Sequence, residues 1–412
     1  MRFEIFDLAK FKHACLEMDG ITVISGLNDT GKTLLAKMLF ASVKSVSNLQ
    51  QDFRELRIGM VSKTLLDYLS NGRIFPKNRV MKLSAGIVDD FDAGINISEK
   101  RLKQVISNNR IEIFFPVDGF KAVANIIKCD LSSSEEQYLF EKVRDIFWEE
   151  FYAGIFSAHS SESRVELFDG VGRAIFMPSD FSIELKEKIG EFHGNVHYLD
   201  NPYILDNIRY VSSVESIKLR EYDHQELLLK ALGKNPPAEG FELEADAAEI
   251  INCLHAVCHG RLIESAQWHN LQFVGDESAD VLDVVKLPSG LKPFLLLLRL
   301  LENGSIRSDT LLILEEPECH LHPMLQLKLA EILVLMQKRI GLKIVLTTYS
   351  PYFLKAIEIC AEKHDICNCC KYYRTSADAD GCRLEDVGRD AEKIFADLAE
   401  PGKAFNSAAA AD

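Results

Sequence analysis

GLNDTGKT, Gly26 to Thr33, is the first stretch of this sequence whose residue types and spacing could do chemistry. It fits G-x-x-x-x-G-K-S/T, in which two glycines, Gly26 and Gly31, let backbone N–H groups close around phosphate oxygens while a helix N-terminus adds partial positive charge. Lys32 then reaches the β- and γ-phosphates and Thr33 ligates Mg²⁺. Asn28, Asp29, Thr30 and Leu34 belong with the same loop as nucleotide-binding residues. The second stretch is LLILEEPECHLHP, Leu311 to Pro323. Beside a phosphate loop, its acids divide the work: Glu315 positions Mg²⁺, directly or through water, and Glu316 orients and polarises the attacking water. By residue type alone it is also a candidate metal site on His320 and His322, or a buried strand with a solvated acidic end. H-L-H brings no third ligand at a recognisable spacing.

A third stretch crowds Cys360, Cys367, Cys369, Cys370 and Cys382 near His364. Cys367 and Cys370 form one C-x-x-C, which could open a zinc site, but no second C-x-x-C accompanies it. The same residues read as two strands around a D-A-D-G turn at Asp378 and Asp380.

The elements that must hold these residues follow from periodicity. Residues 1 to 25 read as a β-hairpin or meander and then a buried strand, ITVIS, stopping at Gly26. Leu34, Leu35, Met38, Leu39 and Val43 then repeat at helical spacing. The apolar run TLLIL reads as a strand buried on both faces of a parallel sheet, with its carboxylates at the C-terminal edge where open α/β sheets bind ligands. Residues 45 to 160 are mainly helical, with one strand-like segment, RIEIFFPV, and no sustained heptad. Short strands follow over 164 to 212, including RAIFMPSD and NVHYLDNPYIL. Then come a helix at HQELLLKAL, a linker-like GKNPPAEG, a helix over 244 to 260, and a hairpin-like segment up to LPSG. The last third alternates helix and strand, and the tail FNSAAAAD is low in complexity.

The 412 residues and 47% hydrophobic content suffice for one large core or several smaller ones, and the formal charge of −15 argues against a broad DNA-coating surface. Arg54, Arg57, Arg73, Lys77 and Arg79 are scattered basic residues able to contact nucleic acid or simply to face water. The charged N-terminus does not read as a signal peptide, and no apolar run is long enough for a bilayer. A soluble, cytoplasmic protein with reduced thiols and no membrane partner is expected.

GLNDTGKT, LPSGLK at Leu287 to Lys292, LILEEPECHLHP and VLTTYSPYFL at Val345 to Leu354 occur in an order that resembles the ABC-type ATPases of the SMC, Rad50 and RecF branch. More closely, the chain resembles stand-alone AAA-family ATPases related to the overcoming-lysogenization-defect proteins and to ATPase subunits of bacterial anti-phage systems. The resemblance covers residues 1 to 45 and 280 to 360. It implies an α/β fold, an ABC-type P-loop NTPase head: an N-terminal antiparallel β-subdomain plus a mainly parallel sheet with flanking helices, carrying a helical insertion. The head would comprise residues 1–45 and 161–412, and the insertion 46–160. The resemblance also implies ATP and Mg²⁺ as cofactors, and a head-to-tail homodimer with two sandwiched ATP molecules. Ser289, Gly290 and Lys292 of one chain would meet the 26–33 loop of the other. His320 to Pro323 would cross that interface, and Tyr349 would stand at the γ-phosphate sensor.

Two departures stand out. The family's strand-end pair is Asp then Glu, where this chain has Glu315 then Glu316, and its sensor is T-H-S, where this chain has Thr348, Tyr349 and Ser350. A phenol is neutral near pH 7 and supplies no charge. Slow hydrolysis and a long-lived ATP dimer are the expectation. The metal-dependent nuclease domain of the overcoming-lysogenization-defect proteins finds no room after Leu354, so an effector, nuclease or toxin, is expected as a separate chain. The expected function is the sensor or scaffold ATPase of an anti-phage system. The alternatives are a RecF-like DNA-clamping ATPase and a nucleotide-stabilised, non-catalytic assembly platform, with higher assembly open.

Overall fold

All six residues of Ile21–Gly26 are buried, as a strand must be when helices cover both faces of a parallel sheet, and the computed structural model places them there. The structure describes residues 1–69, 77–108, 119–132, 134–151, 160, 162–179, 183–210, 222–234, 245–264, 271–276, 281–379, 381–389, 391–395 and 398. The strand-like segment 110–117, most of the linker-like 233–240 and the tail lie outside these residues. Two compact units divide the chain: residues 1–47 with 143–412, and residues 48–142.

In chain order, the first unit opens with β1 (Arg2–Leu8), β2 (Phe11–Glu17), β3 (Ile21–Gly26) and α1 (Lys32–Val46). Residues 48–142 are then helical: α2 (Leu49–Leu69), α3 (Lys77–Asp92), α4 (Glu99–Asn108), α5 (Gly119–Leu131) and the first part of α6 (Glu135–Phe151). Their amphipathic faces bury Val61, Leu65, Leu83, Ile87, Leu102 and Ile127 in a core of their own. The unit ends at Lys142, inside α6, whereas the sequence reading carried the insertion over 46–160. Helical periodicity runs through that boundary and hides it. Two of the basic residues singled out in the sequence are engaged within this unit: Arg54 pairs with Asp89 at 2.6 Å and Arg57 with Asp92 at 2.7 Å.

The first unit resumes with β4 (Arg164–Phe168), β5 (Arg173–Pro178), β6 (Ile183–Ile189), β7 (Val196–Leu199), α7 (His224–Leu232) and α8 (Ala245–Cys258). A small sheet follows, β8 (Gly260–Glu264), β9 (Leu271–Gly275) and β10 (Val281–Asp283), three strands where the sequence suggested a hairpin. The last elements are α9 (Lys292–Glu302), β11 (Leu311–Glu315), α10 (Pro323–Ile340), β12 (Lys343–Thr348), α11 (Pro351–Lys363), β13 (Cys370–Asp378) and β14 (Gly381–Gly388). β13 and β14 pair antiparallel across the expected turn.

Eleven strands form one sheet in the order β6-β5-β4-β1-β2-β14-β13-β3-β12-β11-β7. Its first five strands are antiparallel, and β13, β3, β12, β11 and β7 run parallel. This is the α/β architecture expected from the sequence, an antiparallel subdomain continuous with a mainly parallel sheet. Alternate residues Ile21, Val23, Leu312, Leu314, Ile344 and Leu346 join the core formed with α8, α9, α10 and α11, as period-2 side chains require. No helix among the described residues is long and apolar enough to cross a membrane.

Candidate active site

β12 lies between β3 and β11, with Leu346 opposite Val23 and Leu314, so the C-terminal ends of the three parallel strands open on one edge. Gly26 and Glu315 are the last residues of β3 and β11, and Tyr349 follows β12 directly. Open α/β sheets bind ligands at that edge because the loops leaving parallel strands gather there.

The loop after β3 is shaped by its glycines. Gly31 has φ of +89°, a left-handed conformation, and a Cβ there would sit 2.6 Å from Phe11 Cζ. At Gly26 a Cβ would come within 2.4 Å of the Thr375 carbonyl oxygen on β13. Thr30 Oγ1 donates to Leu27 O at 2.7 Å and lies 2.6 Å from Thr375 Oγ1, which fixes the loop to the same strand. Asp29 is ion-paired with Lys10, Asn28 is exposed and Leu34 half-buried. α1 begins without a side-chain cap, leaving its first N–H groups to another acceptor. Lys32 Nζ donates to the carbonyls of Gly26 and Leu27, each at 2.9 Å. Burial lowers its pKa, and Glu316, Glu315 and Glu318 act in the opposite direction.

The carboxylates come from β11 and the turn after it. Glu315 accepts a hydrogen bond from Thr33 Oγ1 on one oxygen and from the Tyr198 hydroxyl on the other. Glu316 has φ of +45°, a strained value for a residue with a Cβ, and its N–H donates to Thr347 O at 3.0 Å. Its Oε2 lies 3.6 Å from Cys319 Sγ, which in turn is 3.4 Å from the Tyr349 hydroxyl. That contact to Cys319 pushes the Tyr349 phenol up to about 12, so it stays protonated. Glu318 is buried and accepts from Thr348 Oγ1, while its other oxygen has no partner among the described residues. Burial raises its pKa to about 7, against the Thr348 hydrogen bond.

The structure therefore brings Lys32, Thr33, Glu315 and Glu316 to one edge and places others elsewhere. Lys292, expected at the nucleotide, is buried, with its ammonium 2.6 Å from Asp206 Oδ1 and 4.8 Å from the Tyr203 ring centre. As the first residue of α9 it is turned into the protein, and a carboxylate from another segment satisfies it. Ser289 and Gly290 form the turn before α9, where a Cβ on Gly290 would sit 3.3 Å from Leu325 Cδ1. The neighbours of Gly290 are Leu325 in the first turn of α10 and Leu321 and His320 in the loop after β11, and no hydrogen bond of the described residues joins the turn to the 26–33 loop. His322 Nδ1 accepts from Met324 N at 3.3 Å and caps α10, a role the sequence reading did not give it. His320 is exposed. Among the described residues the one His/Cys/Asp/Glu group close enough to share a metal is Glu150, Asp223 and His224. Neither the two histidines nor the cysteine-rich stretch belongs to it.

Three participants escaped the sequence reading. Tyr198 and Thr375 lie in strands that look like any other, and their parts follow only from which strands they neighbour. Cys319 was in plain view, between Glu316 and the histidines, but a lone thiol carries no spacing signal.

Two glycines without room for a Cβ, an uncapped helix N-terminus, a lysine and a hydroxyl–carboxylate pair fit a nucleoside triphosphate with a hard divalent cation. Thr33 and Glu315 are the residues that could offer oxygen donors to such a cation.

A protein-family model described as "AAA domain, putative AbiEii toxin, Type IV TA system" matches residues 21–355. No curated protein matches the sequence. Among solved structures the chain is similar to the Smc head bound to the C-winged helix domain of ScpA, with 10% identity over 95% of this chain and 98% of that one, at a TM-score of 0.42. It is also similar to the SMC head domain from Thermotoga maritima, with 11% identity over 94% and 98% and a TM-score of 0.39. A third is the Smc head domain with an extended coiled coil bound to the C-terminal domain of ScpA from Pyrococcus furiosus, with 11% identity over 97% and 98% and a TM-score of 0.41.

Proposed function

The chain belongs to this AAA domain family, and from that premise we propose that it is a P-loop NTPase with an ABC-type head that binds ATP with Mg²⁺, hydrolyses it slowly and works as a nucleotide-controlled switch. The observation that carries the reading is the hydrogen bond from Thr33 to Glu315, which joins the phosphate loop to the strand-end acids. Backbone N–H groups of the 26–33 loop receive the phosphates, and Lys32 exchanges its two carbonyl partners for phosphate oxygens. Thr33 and Glu315 hold Mg²⁺, which when bound neutralises phosphate charge. Glu316 orients and polarises the attacking water.

Two features favour slow turnover. Glu315 carries one methylene more than the aspartate usual at this place, and Tyr349 brings a neutral hydroxyl where an imidazole is usual. A single-turnover rate above about 10 per second, an ordinary enzyme median, would contradict this.

By the order of the motifs, the Ser289–Gly290 turn serves the nucleotide of a second chain, with two ATP molecules sandwiched between heads. The family's description names a toxin and a toxin–antitoxin system. Together with the motif order, that supports a place in a bacterial defence system, where the ATP-bound dimer controls a separate effector, a nuclease or toxin.

Glu316→Gln tests the reading. The variant should bind ATP as tightly as the parent, lose multiple turnover, and accumulate as an ATP-bound dimer in size-exclusion chromatography with light scattering. Undiminished turnover would remove Glu316 from the catalytic role, and a variant that stays monomeric with ATP would remove the dimer.

A further inference from the structure

Tyr198 is fully buried, yet its hydroxyl reaches the edge where Glu315 stands. The register explains how. Tyr198 on β7 is opposite Ile313 on β11, and Glu315 lies two residues further on, on the same face of the sheet. The phenol therefore extends along that face and donates to Glu315 Oε2, while Thr33 takes Oε1.

The ring is held from behind. Phe40 of α1 lies 5.8 Å away between ring centres, and the imidazole of His224 lies 4.6 Å away. His224 is itself fixed: its backbone N–H and Nδ1 meet Glu150 Oε1 at 3.0 and 2.8 Å, and its Nε2 lies 3.0 Å from Asp200 Oδ2. Lys37 stands 3.6 Å from Glu150 Oε2. Burying a glutamate and an imidazole behind a tyrosine costs desolvation energy, and packing alone would be served as well by apolar side chains. Burial and the Asp200 and Glu150 carboxylates act on His224 in opposite senses, and the carboxylates prevail, raising its pKa to about 9.

We propose that Tyr198 is a positioning residue for Glu315: by occupying Oε2 it fixes the rotation of the longer glutamate side chain and directs Oε1 to Thr33 and the cation. The inference rests on the ATPase reading above. Partners of metal-ligating carboxylates orient them, and losing such a partner typically costs about 10- to 100-fold in metal affinity. A glutamate has one more rotatable bond than an aspartate, so the orienting hydrogen bond offsets the departure from the usual strand-end aspartate.

The test uses a fluorescent, non-hydrolysable ATP analogue and the full-length chain, measuring the Mg²⁺ concentration that half-saturates the metal-dependent gain in analogue affinity. In Tyr198→Phe that concentration should rise at least about tenfold. Analogue affinity in EDTA and the thermal midpoint should stay with the parent. In a Glu315→Asp background, whose side chain is too short to use the tyrosine, Tyr198→Phe should have no further effect. An unchanged Mg²⁺ requirement, or an equal effect in both backgrounds, overturns the positioning role. Failure of the underlying reading looks different: the parent itself would show no Mg²⁺-dependent gain, and Glu315→Gln would match it.

Discussion

Thr33 and Glu315 are 282 residues apart in sequence, and the hydroxyl of the first donates to the carboxylate of the second. One residue lies in the first turn of α1, the other closes β11, and the contact exists because β3 and β11 end together on either side of β12. Thr33→Val removes the hydroxyl and little else. The variant should keep the affinity of the parent for ATP in EDTA and lose most of the gain that Mg²⁺ adds, while Thr33→Ser keeps both. Isothermal titration with and without Mg²⁺ separates the cases. Equal losses in EDTA would mean that Thr33 serves the loop's structure instead of the cation.

Tyr349 touches Glu316 only through Cys319, with 3.4 and 3.6 Å on the two sides of the sulfur. If the phenol acts along this chain, Cys319→Ala and Tyr349→Phe should slow turnover by similar amounts. One hydrogen bond of about 1 kcal/mol corresponds to roughly fivefold. The double variant should be no slower than either single one, since both cut the same connection. Steady-state rates of the three variants decide it. Independent, multiplying effects would show that Tyr349 meets the nucleotide directly.

Glu318 gives the protein a pH dependence whose sign can be worked out. Burial raises its folded-state pKa to about 7, whereas an unfolded glutamate titrates near 4.3. Its contribution to stability is fully present below the unfolded value and is lost as pH rises through about 7. The loss is on the order of 3 kcal/mol. Glu318→Gln keeps an acceptor for Thr348 and cannot ionise. Its thermal midpoint should exceed the parent's at pH 8 and approach it near pH 4. A difference that does not change with pH would show that the carboxyl is not taking up the proton.

Local pattern made parts of this site legible. Gly26, Gly31, Lys32 and Thr33 are recognisable because a phosphate loop encodes its own shape within eight residues, and β11 declares itself as an apolar run closed by acids. What spacing could not convey was registration between distant strands. Tyr198 belongs to VHYL, an ordinary buried strand until β7 is known to pair with β11. Lys292 stood in the right motif, but its charge was claimed by Asp206, which no local rule connects to it. The end of the helical unit at Lys142 falls inside α6, where periodicity does not change.

β3 has two neighbours in the sheet, β12 and β13, and both come from the last third of the chain. Gly26 is seated against Thr375, and Thr30 bonds to the same side chain. The phosphate loop is made 345 residues before the Thr375 that seats Thr30, and β3 gains its first flank only when β12 follows and its second only with β13. Competence for nucleotide therefore waits on contacts of high sequence separation, and a chain cut before β12 carries the phosphate loop's sequence without its seat.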